Sequence, residues 1–159
     1  MYHASATQLR KIDAVQGSFL HGLELSPDVA FLEHNLAPLQ LRRDVGILGL
    51  LFKVASGQAH PDFEKLFPLD TSIRDWVTRS NLSRHPKQLV DICDGGQSDL
   101  VNRSIFSAVR VFNRLPSHIV EVDSVRGFQR LLTERARHAC RNGFASWDFM
   151  YSSRRPMVG

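Results

Sequence analysis

The stretch "RSIFSAVRVFNRLPSHIVEVDSVRGFQRLLTERARHACR", residues 103–141, decides the fold class. Arginine recurs every few residues through an otherwise apolar pattern, and Pro116 interrupts it once. With successive residues placed 100° apart, Arg103, Ser107, Arg110 and Arg114 fall within roughly 60° of one another, and Ile105, Val109 and Phe112 lie elsewhere. That predicts a helix over Arg103–Leu115. It stops before Pro116 because a proline ring crowds the residue before it out of the α conformation. "PSHIVEVD" reads as a connector. Asp123 or Ser124 can cap a second helix from Val125 to Asn142, with Gly143 beyond its end. On that helix Arg126, Arg130, Arg137 and Arg141 share a face roughly 60° wide, while Val125, Phe128, Leu132, Ala136 and Ala139 form the apolar side. Each helix is expected to carry a rail of arginine opposite a buried stripe, with Glu134 and His138 as an i, i+4 acid–base pair.

Upstream, the same period continues. Leu9, Ile12, Phe19, Leu20 and Leu23 recur at helical spacing between Ala4 and Leu25. Ser26 can cap a short helix, Asp28 to His34, whose first turn tolerates Pro27. "LAPLQLRRDVGILGLLFKVASGQ" is the most apolar segment, with Leu41, Val45, Leu48, Phe52 and Ala55 on one stripe and Gly57 placed as a cap. Gly46 and Gly49 each cost about 1 kcal/mol in a helix relative to alanine, which suggests close packing against another helix. "HPDFEKLFP" predicts a turn of helix with Phe63, Leu66 and Phe67 inward. Between Pro68 and Leu100 the pattern degrades into loop or short extended pieces. The expected fold is therefore mainly α, an irregular bundle of about 4–6 helices with an irregular segment near 68–100. Its parts are a helical region over 1–67, a connector over 68–101, an arginine-rich hairpin over 102–143 and a flexible tail over 144–159.

Charge is unevenly spread. Of the 20 basic residues 16 are arginine, and residues 81–159 hold 12 basic against 7 acidic side chains, whereas residues 1–80 hold 8 against 9. Guanidinium forks bind phosphate bidentately and tolerate partial burial; a GC-rich genome would produce the same preference for arginine. Two cysteines, Cys93 and Cys140, fit a reducing compartment better than a disulfide scaffold. The longest apolar run, "VGILGLLFKVA", is broken by Lys53 and is too short for a membrane span. A soluble intracellular protein, cytoplasmic or nuclear, is expected, without a membrane partner. The opening "MYHASATQLRKID" enters an amphipathic pattern within a few residues, as a piece of a longer protein would.

Motifs of self-contained catalysis are missing from the sequence: no glycine-rich phosphate loop, G-x-S-x-G, H-E-x-x-H or C-x-x-C occurs. Asp91, Asp94 and Asp99 in "DICDGGQSD" read as caps and turns rather than cation ligands. No metal or cofactor is expected. A pocket gathering His85, Asp91 and Cys93 would be the sign of an enzyme.

The rails remain, read either as the solvated faces of amphipathic helices or as a surface for an anion. Only Glu134 approaches either rail, and like charges at i, i+4 repel by a few tenths of a kcal/mol, which favours a phosphate backbone as partner. Arg103, Arg110, Arg114, Arg126, Arg130, Arg137 and Arg141 are the candidate RNA- or DNA-binding residues. Phe106, Phe112 and Phe128 read as core, so stacking on bases is not expected from these helices. The alternative is a helical docking module without nucleic-acid affinity, whose apolar surfaces at Leu41–Ala55 and Leu9–Leu23 meet a missing domain or a second copy.

"LRKIDAVQGSFLHGL", "LAPLQLRRDVGILGLLFKVASG" and above all "RSIFSAVRVFNRLPSHIVEVDSVRGFQRLL" resemble the region after the polymerase core of non-LTR retrotransposon reverse transcriptases. That region typically shows an L-x-x-x-Q helix, then L-x-x-R-R before an apolar L-L-x-K-x-x-x-G, then R-S-x-x-x-x-x-R-x-[WFY]-N-x-L-P and S-x-x-x-F-x-x-x-L. Here these elements correspond to Leu9–Gln16 in looser spacing, Leu39–Gly57, Arg103–Pro116 and Ser124–Leu132. The likeness covers most of residues 5 to 138. "FNRLP" followed by "SVRGFQRLL" is its most specific part, with Phe112 where many relatives have Trp. The resemblance implies RNA-directed DNA polymerase activity in a full-length parent, usually with an endonuclease upstream, and a missing upstream polymerase domain as partner. The family's adjacent catalytic aspartates have no counterpart, since no Asp-Asp dipeptide occurs in this chain. Two-metal nucleotidyl transfer needs those carboxylates, so this chain is expected to be a non-catalytic C-terminal fragment.

Overall fold

A computed structural model describes residues 5–71, 85–93 and 104–153. Among these, helices dominate: α1 (Ala6–Gly22), α2 (Pro27–His34), α3 (Leu39–Ala55), α4 (Pro61–Leu66), α5 (Ile105–Asn113), α6 (Ser117–Val120) and α7 (Val125–Arg141), followed by a 3₁₀ turn at Trp147–Phe149. The mainly α class expected from periodicity is what is found. The four-residue α6 lies where a plain connector was expected.

The helix starts follow cap chemistry. Ser5 and Gln8 close a capping box at the start of α1, and Ser26 and Ser124 accept from the third residue of α2 and α7. Helix α3 is different. Its N-cap, Pro38, has no side-chain oxygen to offer, and Gln16 of α1 supplies the bond instead. The Gln16 carboxamide accepts from Leu39 N at 2.9 Å and donates to Ala37 O at 3.1 Å. One side chain thereby caps α3 and ties α1 to it. A bidentate ion pair, Arg43 to Asp13 at 2.8 and 2.9 Å, adds a second tie.

The core forms where α3, α5 and α7 meet. Phe52 of α3 stacks on Phe128 of α7 at 4.6 Å between ring centroids, and Phe112 of α5 packs against Phe128 at 6.2 Å. All three are fully buried, together with Leu48, Leu51, Ile119 and Leu132. Phe52 meets Phe128, while Asn35, just before α3, accepts from Arg137 farther along α7, so α3 and α7 run in opposite directions. The α3 stripe expected as a docking surface is thus covered from within the chain.

The two helix glycines part company. A Cβ at Gly49 would fall on the Gln129 carboxamide of α7, so this position is a close approach; at Gly46 nothing lies within 4 Å. Close packing was expected of both and holds for Gly49 alone. Helix α4 turns only Phe67 inward; Phe63 and Leu66, also expected inside, are exposed. In α1, Leu9 and Leu20 are buried but Phe19 and Leu23 are not, so the single stripe read from the sequence divides between two faces.

Residues 68–70 and 88–90 form a short antiparallel bridge, Leu69 to Leu89, with Asp70 N donating to Gln88 O and Val90 N to Pro68 O. Residues 72–84 and 94–103 of the expected irregular segment lie outside the described residues. The "FNRLP" corner holds this bridge. Asn113 donates to Leu89 O at 2.7 Å and accepts from Leu89 N at 3.0 Å, as a strand neighbour would. Gln88 reaches Asn113 O, and His85 Nε2 donates to Phe112 O at 2.9 Å. Burial holds the His85 imidazole below its usual pKa.

The tail expected to be flexible is packed over its described part. Trp147 stacks on Phe31 of α2 at 4.9 Å and donates to Asp28 at 3.1 Å. Buried Tyr151 donates its hydroxyl to Leu132 O at 3.0 Å. Residues 154–159 lie outside the described residues.

The glycine contrast yields a stability test. Gly46→Ala is expected to raise unfolding free energy by up to about 1 kcal/mol through helix propensity. Gly49→Ala is expected to gain nothing unless Gln129→Ala removes the obstructing carboxamide. Urea denaturation of the four variants checks both.

Candidate nucleic-acid interface

The arginines singled out in the sequence do not end in one place. On α5 the expected rail is not a solvent face. Ser107 is buried and donates to Ser104 O at 2.7 Å, with Ser153 Oγ also 2.7 Å away. Arg110 is three-quarters buried and holds Asp91 at 2.7 Å. The wheel placed these residues together correctly, but Asp91 and Ser153 meet that face. Arg103 lies outside the described residues. Arg114, at the C-cap of α5, is exposed.

On α7 the rail holds in part. Arg126, Arg130 and Arg141 are exposed. Arg137 is half-buried, its guanidinium 5.3 Å from the centre of the Phe31 ring and donating to Asn35 Oδ1. A partly exposed stack of this kind is worth about 0.5–1 kcal/mol, so Arg137 acts as a structural tie between α7 and α2. Glu134 turns back to Arg130 at 3.6 Å, not forward to His138. Both partners of that pair are well exposed, so the attraction is strongly screened. Arg141 stands in the last turn of α7, where a cation complements the unpaired carbonyls.

What gathers charge is a groove of about 340 Å³ between α3 and α7. Arg42 enters it from α3, Arg126 and Arg130 from α7, with Gln129 and Thr133 as neutral donors and Ala37, Leu41, Val45 and Gly46 as its floor. Among the described residues no carboxylate lines it. The side chains of Arg42 and Arg126 make no hydrogen bond or ion pair among the described residues. Gly46 matters here because a side chain at that position would stand in the groove. A phosphodiester placed between the helices would meet guanidinium groups from both walls, an arrangement that supplies charge and bidentate geometry together.

Sequence inspection missed Arg42. The signal was present: on the α3 wheel Arg42, Gly46 and Gly49 fall within roughly 60° of one another, beside the apolar stripe. A basic residue followed on the same face by two glycines marks an edge where a neighbour comes close and leaves room. A second, smaller groove of about 240 Å³ pairs Arg114 with Arg135 beside Met150 and Tyr151. Arg135 was also missed, being half a turn from the α7 rail.

His85, Asp91 and Cys93 do not assemble as a catalytic group. His85 serves Phe112, Asp91 serves Arg110, and Cys93 donates its backbone N–H to Asp91 at 3.1 Å. Asp94 and Asp99 lie outside the described residues. Among those described, no three His, Cys, Asp or Glu residues are arranged to hold a metal ion, and no helix is long and apolar enough to cross a membrane. Comparison with protein-family models, with curated proteins and with solved structures returned no match.

Burial separates the arginines by what their loss does to folding. Arg110→Gln is expected to lower stability by about 1–3 kcal/mol, because it leaves Asp91 without its charged donor. Arg126→Gln and Arg130→Gln are expected to stay within about 0.5 kcal/mol of the parent. Chemical denaturation of the three variants reads the contrast directly.

Proposed function

We propose that this chain is a non-catalytic helical module that holds the sugar-phosphate backbone of RNA or DNA without reading sequence, across the groove between α3 and α7. The observation that carries this reading is that Arg42, Arg126 and Arg130 from two helices line one groove with no carboxylate among its described lining residues. The lack of aromatic side chains among the lining residues supports backbone holding over base stacking. We further propose that the module is the helical region following the polymerase core of a non-LTR retrotransposon reverse transcriptase, a larger enzyme whose paired aspartates lie elsewhere. The ordered elements from Leu9 to Leu132 support that assignment. So does the consistency of a charged groove with a region that would steady template or product.

The test is binding as a function of salt. Duplex DNA or RNA should bind with log-affinity falling linearly in log salt, by about 0.9 per phosphate contact on duplex DNA. Replacing Arg42, Arg126 and Arg130 together by Gln should flatten that slope by about 2–3 and leave little affinity. Arg110→Gln, measured where it is folded, should leave the slope unchanged. Absence of binding at low salt, or a slope indifferent to the triple replacement, would sink the proposal.

A further inference from the structure

We infer that the outer face of α1 is a self-association surface on which a second copy of this chain lays its own α1, antiparallel. Helix α1 touches the rest of the fold through Leu9, Leu20, Gln16 and Asp13, on one side. Its other side carries Val15 at 70% exposure and Phe19 at 57%, with Leu23 at 51% just past the helix end. An isolated exposed apolar residue needs no explanation, but an ordered row does.

The row has the spacing of a helix-to-helix seam. Gln8, Ile12, Val15, Phe19 and Gly22 follow steps of four, three, four and three, the heptad rhythm that keeps one face against a partner helix over several turns. The partner is therefore another helix, and the seam is complementary to itself in one orientation. With a two-fold axis at Gly17, Phe19 lies against Val15 of the second copy, and Ile12 lies over Gly22, where no side chain opposes it. The same register brings Lys11 beside Leu23 and Glu24 of the second copy, joining the cation on this face to the acid just past the helix end. Both are exposed, and neither makes an ion pair among the described residues. Parallel pairing would instead set Lys11 against Lys11 and Glu24 against Glu24. Charge thus selects the antiparallel arrangement and a second copy as the occupant.

Two sets of variants test this on the full chain. In sedimentation equilibrium the average mass should climb from 18.0 kDa toward twice that value as concentration rises to about 1 mM. Phe19→Glu should hold the protein monomeric with unchanged helical circular dichroism, because the side chain is solvent-facing. Lys11→Glu alone should weaken the dimer at least several-fold, and adding Glu24→Lys should restore it, since the pair is then re-formed with its signs exchanged. A monomer throughout the range would overturn the proposal. So would a dimer indifferent to Phe19→Glu, or a double exchange that fails to recover what Lys11→Glu lost. None of these outcomes depends on nucleic-acid binding.

Discussion

The stack of Phe52 on Phe128 fixes the separation and register of α3 and α7, and most of the fold is arranged around it. Phe112 adds a third ring and brings α5 to the same point. Burying a phenylalanine is worth about 1.5–3 kcal/mol each, and truncating one in such a site removes about 3–5 kcal/mol with the cavity included. The stack also determines the surface. Because α3 and α7 lie against each other at Phe52–Phe128 and Gly49–Gln129, Arg42 from one helix and Arg126 and Arg130 from the other line one groove.

Several parts of this arrangement were legible in the residues. The helices of α1 to α3, α5 and α7 follow from periodicity and from Ser26, Ser124, Gly57 and Gly143 at their ends, the two glycines taking the positive φ that closes a helix. Other parts were hidden because they depend on distant partners. A wheel shows which residues share a face of α5. It does not show that Asp91, 19 residues upstream, arrives to neutralise Arg110. The segment from Phe144 onward has too few residues for a period, yet Trp147 finds Phe31 and Tyr151 finds the Leu132 carbonyl. Arg42 was overlooked because its meaning comes from the opposite wall of the groove.

The "FNRLP" corner shows how a sequence signature can have a purely structural cause. Phe112 supplies a core ring and a carbonyl for His85, Asn113 imitates a neighbouring strand for Leu89, and Pro116 ends the run. Each of the two bonds between Asn113 and Leu89 contributes about 0.5–1.5 kcal/mol net, and leaving either group unpaired costs more. None of these residues offers chemistry to a ligand. The corner and the proposed binding groove are therefore separate features, joined only through the packing of α5 on α3 and α7.

The central claim is that the groove arginines, and not the arginines of the sequence rails as a whole, hold the phosphate backbone. Nuclear magnetic resonance of the arginine Nε–Hε groups during titration with a short RNA or DNA duplex at low salt tests it most directly. The signals of Arg42, Arg126 and Arg130 are predicted to shift together and saturate while those of Arg110 and Arg137 stay in place. Movement of Arg110 or Arg141 with the three groove signals silent would contradict the account.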